Sequence, residues 1–355
     1  MSHAYDLSGV IAPATWCLDL AEVSDHGELT VGAWAVPADG RPVSLRVNGR
    51  AFEHEATALA RPDLVPVFSL VADASHAGLW CRTPLTDDER DGSRTIKIEL
   101  VDAETGEPLR AEQAMYVPVS SDEKWPLPDA SRMLRVHGDD RSAGFALSGY
   151  STYRKLDDVL RQVTGSGFQG RRQVLDWGCG SGRLLRYLGQ VEGVEVTGVD
   201  VDGDNVGWCA DHLPFARYQT IPLHPPTALP SSAYDVVIGI SIFTHLKQDV
   251  QTEWLRELRR VATADGLLLI TIHGPAVTAM TGDRELWDRV QRDGFADGWN
   301  PLFDDVLDEP DYYRNTFQTH EQVRRDWSRF FEIVDIVPAC IGNFQDLVVM
   351  RPLPE

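Results

Sequence analysis

The chain is poor in cysteine, short of basic side chains and without a long apolar run, and each shortage removes a class of answer. Among 355 residues there are five cysteines. Cys17, Cys81, Cys179, Cys209 and Cys340 are scattered, with no C-x-x-C pair of the kind zinc or dithiol chemistry uses, so they read as free thiols. Lysine and arginine number 33 against 54 aspartates and glutamates, a net charge of −21. That field repels phosphate backbones and anionic surfaces, so no nucleic-acid partner is expected. No apolar stretch reaches the ~20 residues of a membrane helix, and the opening MSHAYDLSGV lacks a basic-then-apolar pattern. Neither membrane insertion nor a secretory signal is expected, and the location reads as cytoplasmic.

What is present describes an ordinary folded protein in two parts. Hydrophobic residues make up 43% and charged residues 25%, and the length suits two domains. From residue 11 to about 118, short β-rich runs alternate with turns: Trp16–Val23, Leu29–Val36, Ser44–Val47, Arg50–Glu55, Arg94–Val101 and Ala111–Val119. Asn48-Gly49 is a tight hairpin signal, because both central residues of that turn take positive φ. The pattern predicts an all-β sandwich over 1–122. A polar, proline-containing linker follows at 123–134. Over 135–355, amphipathic helical stretches alternate with apolar strands, as in an α/β fold whose parallel sheet is covered on both faces.

The chemistry is concentrated at Val174-Leu175-Asp176-Trp177-Gly178-Cys179-Gly180-Ser181-Gly182-Arg183. This is a strand entering a glycine-rich turn, followed by Leu184, Leu185 and Leu188 as a helix whose positive end would face a nucleotide-like ligand. The spacing is G-x-G-x-G, with Arg183 where a dinucleotide fingerprint needs glycine. A second apolar strand, Val194–Val199, ends at Asp200, 22 residues after Gly178, the distance at which an acid accepts from ribose hydroxyls. Asp200 can equally be a turn or cap aspartate before Asp202-Gly203.

Residues 174–182 resemble the first motif of class I S-adenosylmethionine-dependent methyltransferases, and the resemblance extends over about 135–352. It implies a Rossmann-like, seven-stranded, mostly parallel sheet closed by an antiparallel hairpin, with S-adenosylmethionine as cofactor. The cofactor site it implies comprises Asp176, Trp177, Gly178, Cys179, Gly180, Asp200, Val201 and Ser241, with Pro222 and Leu223 near the adenine. Tyr153 on an earlier helix is a further contact in this reading, or else a core residue, and Arg135 is a partner for the cofactor's carboxylate. The segment Gly32–Val36 followed by Leu45–Gly49 resembles small β-domains attached to enzymes of surface-polysaccharide assembly.

Transfer to a hydroxyl needs a base, and histidine is the usual one. His273 follows the fifth strand and is the first choice; His245 follows the fourth. Either one reads equally as a histidine bonded to loop backbone. Ser241–Leu246 lacks the acid-or-amide, two-proline, aromatic pattern of family members that methylate nucleobase or glutamine nitrogen. Residues 275–316, with Trp287, Phe295, Trp299, Phe303, Tyr312 and Tyr313, form an insertion expected to act as the acceptor lid, although a helical cap or dimer contact suits them as well. No metal-ligand spacing is evident, and Asp139-Asp140 and Asp304-Asp305 read as solvated acids. The expectation is an O-methyltransferase acting on a hydroxyl of a glycan or glycosylated metabolite. The alternatives are a small natural product or peptide carboxylate as acceptor, and a cofactor-binding scaffold without turnover. A homodimer is compatible with this reading.

Overall fold

The computed structural model describes residues 7–90, 95–119, 124–303, 307, 309 and 311–354. In the first part the elements are α1 (Ser8–Ile11), β1 (Ala14–Val23), β2 (Glu28–Pro37), β3 (Val43–Val47), β4 (Arg50–Ala51), β5 (His54–Leu59), β6 (Gly78–Pro84), α2 (Asp87–Arg90), β7 (Thr95–Asp102) and β8 (Met115–Pro118). They build two antiparallel sheets, ordered β1-β2-β6-β5 and β4-β3-β7-β8. Alternate side chains from both, among them Trp16, Val31, Leu45, Cys81, Ile98 and Val117, meet in one buried cluster. Asn48 and Gly49 turn at φ +50° and +81° and join β3 to β4. The run expected as one strand from Arg50 to Glu55 is divided: β4 ends at Ala51, Phe52 turns inward, and β5 pairs with β6 in the other sheet. Residues 111–113 form a 3₁₀ turn instead of extending β8.

Two helices follow, α3 (Ala130–His137) and α4 (Ser142–Thr164). The stretch expected as linker is partly helical, since Asp129 caps α3 by accepting from the Arg132 N–H. The long α4 packs on both parts of the molecule. Leu147 joins the two-sheet core, whereas Leu156 and Leu160 join the core of the larger sheet. The Tyr116 N–H donates to Ser151 Oγ at 3.2 Å, and Thr95 and Tyr150 share a hydrogen bond of 2.7 Å.

The remaining elements are β9 (Gln173–Trp177), α5 (Leu185–Leu188), β10 (Glu195–Asp200), α6 (Gly203–His212), β11 (Arg217–Thr220), β12 (Tyr234–Gly239), α7 (Gln248–Val261) and β13 (Ala262–Ile272). After them come α8 (Pro275–Met280), α9 (Arg284–Asp293), β14 (Phe295–Trp299), β15 (Arg314–Gln318), α10 (His320–Trp327), β16 (Phe331–Ile341) and β17 (Gln345–Pro352). One sheet of seven strands runs β11-β10-β9-β12-β13-β17-β16. Its first five strands are parallel, and β17 lies antiparallel between β13 and β16. This is a Rossmann-like arrangement. Val174 faces a core with Leu156, Leu160 and Leu185; its neighbour Leu175 faces the opposite core with Trp254, Leu258 and Trp327. That alternation of two apolar faces is what a sheet covered on both sides requires. Strand order reverses between β9 and β12, and a crevice opens at the carboxyl ends of strands where order reverses. The insertion between β13 and α10 contributes α8, α9 and the β14–β15 hairpin.

Candidate active site

The glycine loop is shaped by backbone conformation. Gly178, Gly180 and Gly182 take φ of +81°, +51° and +77°, which side chains with a Cβ rarely adopt. The N–H groups of Gly178 and Cys179 both donate to the Val199 carbonyl, at 2.8 and 3.0 Å, binding the loop to β10. A Cβ on Gly180 would come within 2.9 Å of the Val136 side chain, so α3 sits directly on the loop. The helix expected immediately after the glycines is reduced to α5, four residues long. Three left-handed residues in alternation cannot be helical, so the helix starts late and brings little dipole to the site.

Two carboxylates flank this loop. Asp200 Oδ2 accepts the Gly180 N–H at 2.7 Å and Oδ1 accepts the Asp202 N–H at 2.9 Å, which leaves each oxygen a further lone pair. Asp202, not Asp200, caps α6, and it also binds Arg135 Nη1 at 2.6 Å. Arg135, expected at the cofactor's carboxylate, is therefore already paired. Asp176 is buried and takes no hydrogen bond from a described residue. Burial pushes its carboxyl up to about 7, Asp200 adds to this, and the Arg183 guanidinium opposes it. The Arg183 side chain donates to Ser148 Oγ at 2.6 Å.

A cavity of about 350 Å³ opens at the strand-order reversal. Asp176, Gly178, Cys179, Gly180, Asp200 and Val201 border it, as do Trp177 and Ser241. The Trp177 ring itself packs against Phe243 and Trp254, at centroid distances of 5.4 and 4.9 Å. Three sequence expectations are corrected here. Tyr153 lies outside the cavity wall, its ring stacked on Phe168 at 5.7 Å and Tyr187 at 6.2 Å; Gly149 and Thr152 take its place from α4. Gly149 does so because a Cβ there would meet the Arg183 carbonyl at 2.4 Å, so the helix lies against the loop. Pro222 and Leu223 do not border the cavity, whereas Ile221 does. The Leu223 carbonyl is occupied by Trp254 Nε1 at 3.1 Å and the Tyr312 hydroxyl at 2.5 Å.

The far end of the cavity is built by the chain after β12 and by the insertion. Ser241 takes φ +62°, held by its N–H to Thr271 Oγ1 and by Gln345 Nε2 donating to its Oγ, both at 2.7 Å. A 3₁₀ turn, Phe243–His245, carries His245 into the cavity wall. His245 Nδ1 lies 2.7 Å from the Arg314 carbonyl, and its ring stacks on Tyr313 at 4.0 Å. A carbonyl only accepts, so Nδ1 carries the proton and Nε2 the free lone pair. Burial pulls this imidazole down to about 4, so it is neutral near pH 7.

His273, the first choice from sequence, is not in the cavity wall. It is buried behind His245, 6.1 Å between ring centroids, with Phe317 and Phe344 at 5.4 and 5.6 Å. β13 does deliver it to the sheet edge, but α8 and β15 close over that edge. Burial takes it down to about 3, with His245 adding to the shift.

Of the insertion's aromatics, Tyr312 and Tyr313 reach the cavity, together with Leu302 and Leu307. Trp287 is packed with Leu7 and Ala279, Trp299 is 59% exposed, and the side chain of Phe303 lies outside the described residues, as do Asp304 and Asp305. Among the described residues no group of three or more histidines, cysteines and acids is placed to hold a metal.

The loop fits the cofactor expected from sequence. A buried carboxylate without a hydrogen bond from the described residues, a second with spare lone pairs, and a backbone turn open to the cavity supply partners for an ammonium group, ribose hydroxyls and an adenosine body. Comparison with known proteins agrees. Residues 175–268 match the family model described as a methyltransferase domain. The chain is 28% identical over 221 residues to a ribosomal protein L11 methyltransferase of Burkholderia pseudomallei, covering 59% of this chain and 66% of that protein. Thus it spans just under two thirds of the relative's length. Similar solved structures include the PH0226 protein of Pyrococcus horikoshii OT3 (19% identity, 57% of this chain and 91% of that one, TM-score 0.42). Another is the 1,6-didemethyltoxoflavin-N1-methyltransferase of Burkholderia thailandensis (17% identity, 70% and 99%, TM-score 0.41). No helix among the described residues is long and apolar enough to cross a membrane. Residues 175–268 of this chain are, by that match, a methyltransferase domain.

Proposed function

We propose that this protein transfers a methyl group from S-adenosylmethionine to a hydroxyl oxygen of a small molecule, with His245 as general base. The observation that carries this reading is the state of His245: half-buried in the cavity wall, neutral, and held by the Arg314 carbonyl so that Nε2 is the basic atom. The bound cofactor supplies an electrophilic methyl on a sulfonium. The protein's own part is to orient and to exclude water. Asp200 and Asp176 hold the cofactor end, Tyr312 and Tyr313 close the other, and Nε2 takes the hydroxyl proton as the oxygen–carbon bond forms.

A small acceptor is favoured over the glycan expected from sequence, because Leu302, Leu307, Tyr312 and Tyr313 of the insertion line the cavity with apolar and aromatic surface. We read residues 1–122 as an accessory β-sandwich domain and 135–355 as the catalytic domain, each with its own apolar core. The test is incubation of the purified protein with methyl-deuterated S-adenosylmethionine and fractionated small molecules, followed by mass spectrometry. A labelled low-mass hydroxyl compound is expected. Label only in polysaccharide or protein would overturn the reading.

A further inference from the structure

The acceptor's chemistry can be narrowed from the way charge and hydrogen-bonding capacity divide along the cavity; this step rests on the function just proposed. The cofactor end has Arg135, Asp176, Arg183, Asp200 and Asp202 in its wall. At the opposite end, the wall formed by His245, Leu246, Leu302, Leu307, Tyr312 and Tyr313 has no charged side chain among the described residues. The charged groups nearest that end are consumed by one another. Arg314 binds Asp297 at 3.0 Å and also Asp311, and Lys247 binds the second oxygen of Asp311 at 3.0 Å.

The polar atoms of this end are also largely engaged. The Tyr312 hydroxyl donates to the Leu223 carbonyl, Ser241 Oγ accepts from Gln345, and His245 Nδ1 is bound to the Arg314 carbonyl. Open to a ligand are the His245 Nε2 lone pair, the Ser241 O–H, and flat or apolar surface from Leu246, Leu307 and the tyrosine rings. A sugar brings several hydroxyls, and each one buried without a partner weakens binding. A carboxylate brings a charge, and Arg314 and Lys247 beside this part of the wall are already paired. A planar ring with one hydroxyl loses nothing on entering, and aromatic walls favour it. We infer that the acceptor is an uncharged, planar aromatic compound methylated on a single ring hydroxyl that donates to His245 Nε2.

The probes are 2-naphthol, the equally shaped anion 2-naphthoate, the cation 2-naphthylmethylammonium and the polyol methyl β-D-glucoside. Each is titrated by calorimetry into the full chain saturated with S-adenosylhomocysteine. Binding of 2-naphthol at least tenfold tighter than the other three is expected, with 2-methoxynaphthalene formed once S-adenosylmethionine replaces the product. Tyr313→Ala should lose about tenfold in 2-naphthol affinity with S-adenosylhomocysteine affinity unchanged, and Tyr313→Phe should keep both. Equal or tighter binding of the anion, the cation or the glucoside overturns the inference. His245→Gln separates this from the function it rests on. If 2-naphthol is the preferred probe but the variant still methylates it at the wild-type rate, the base assignment fails and the acceptor class stands. If the variant abolishes transfer to a different, charged or polyhydroxylated compound, the acceptor class fails and the base assignment stands.

Discussion

The two ends of the cavity are made differently. The cofactor end centres on one short stretch of chain, Asp176–Gly182, and the acid that ends the next strand; its N–H groups are held by the Val199 carbonyl and the Asp200 carboxylate, and α3 and α4 pack over it. The acceptor end is assembled from the turn after β12 with the following α7, and from the insertion, which lies far from both in sequence and meets them through side-chain packing. The first is set locally by glycine conformations. The second exists only when the insertion docks. The contrast teaches that one cavity can be recognisable at one end and individual at the other.

The sharpest way to break this contrast is His245→Gln. It should lower methyl transfer about 10²–10⁴-fold, as general bases do, while S-adenosylhomocysteine affinity by calorimetry stays as in the wild type. A parallel loss of cofactor affinity would show that the two ends are not separable.

Acid stability tests the burial of the acceptor end. His245 and His273 have folded-state values of about 4 and about 3, below the ordinary 6.5. The unfolded chain therefore takes up their protons first as pH falls. The stability they allow is complete above about 6.5 and is lost on the way down to about 4, by roughly 2–3 kcal/mol for one such group. Tm measured from pH 7 to 4 should fall, and less steeply in His245→Gln.

Asp200→Ala probes the other end. Cofactor affinity should weaken by about 1–3 kcal/mol, the cost of hydroxyls left unpaired, with the fold intact by circular dichroism. An unchanged affinity rejects Asp200 as a ribose partner.

Asp176 offers a finer reading of the same end. With its carboxyl raised to about 7, it is partly protonated near neutrality, and a cationic ligand group beside it favours the charged form. Cofactor binding at pH 6.5 should therefore release a fraction of a proton, seen as a dependence of the calorimetric enthalpy on buffer ionisation. Asp176→Asn should abolish that dependence.

The smallest effect is expected at His224, which bridges the two sides from outside the cavity. Its Nδ1 lies 3.2 Å from Glu253 on α7 and its Nε2 3.1 Å from Glu309 of the insertion. Burial lowers its pKa, but the two carboxylates outweigh it and the net shift is upward. The contribution is complete below the ordinary histidine range and lost as pH rises through the raised value. Protease cleavage within the insertion should become slightly faster above that range in the wild type, and His224→Gln should show no such step.

Much of the sheet was legible because its strands announce themselves by apolar runs: Tyr234–Gly239 and the helix Gln248–Val261 lie where periodicity places them. Asn48-Gly49 was legible for a similar reason, since few residues tolerate that turn. The division of Arg50–Glu55 between two sheets was not, because a two-residue pairing leaves no periodic trace. The choice between His245 and His273 was equally invisible. Both follow a strand at the same sheet edge, and only α8 and β15 folding over one of them decides which faces the cavity. Tyr153 and Gly149 sit four residues apart on α4, and which of them faces the loop depended on how closely Arg183 approaches.

Covalent and conformational demands that act within a few residues were thus written into the chain itself. Alternating glycines, an acid ahead of them and another ending the following strand mark a backbone turn and the kind of ligand it meets within a short span of sequence. Which histidine is accessible, which aromatics of the insertion reach inward, and which polar atoms are already engaged were decided by packing between distant segments. Burial is the largest cause that moves His245 and His273 so far from their ordinary pKa, and burial is a property of the assembled structure.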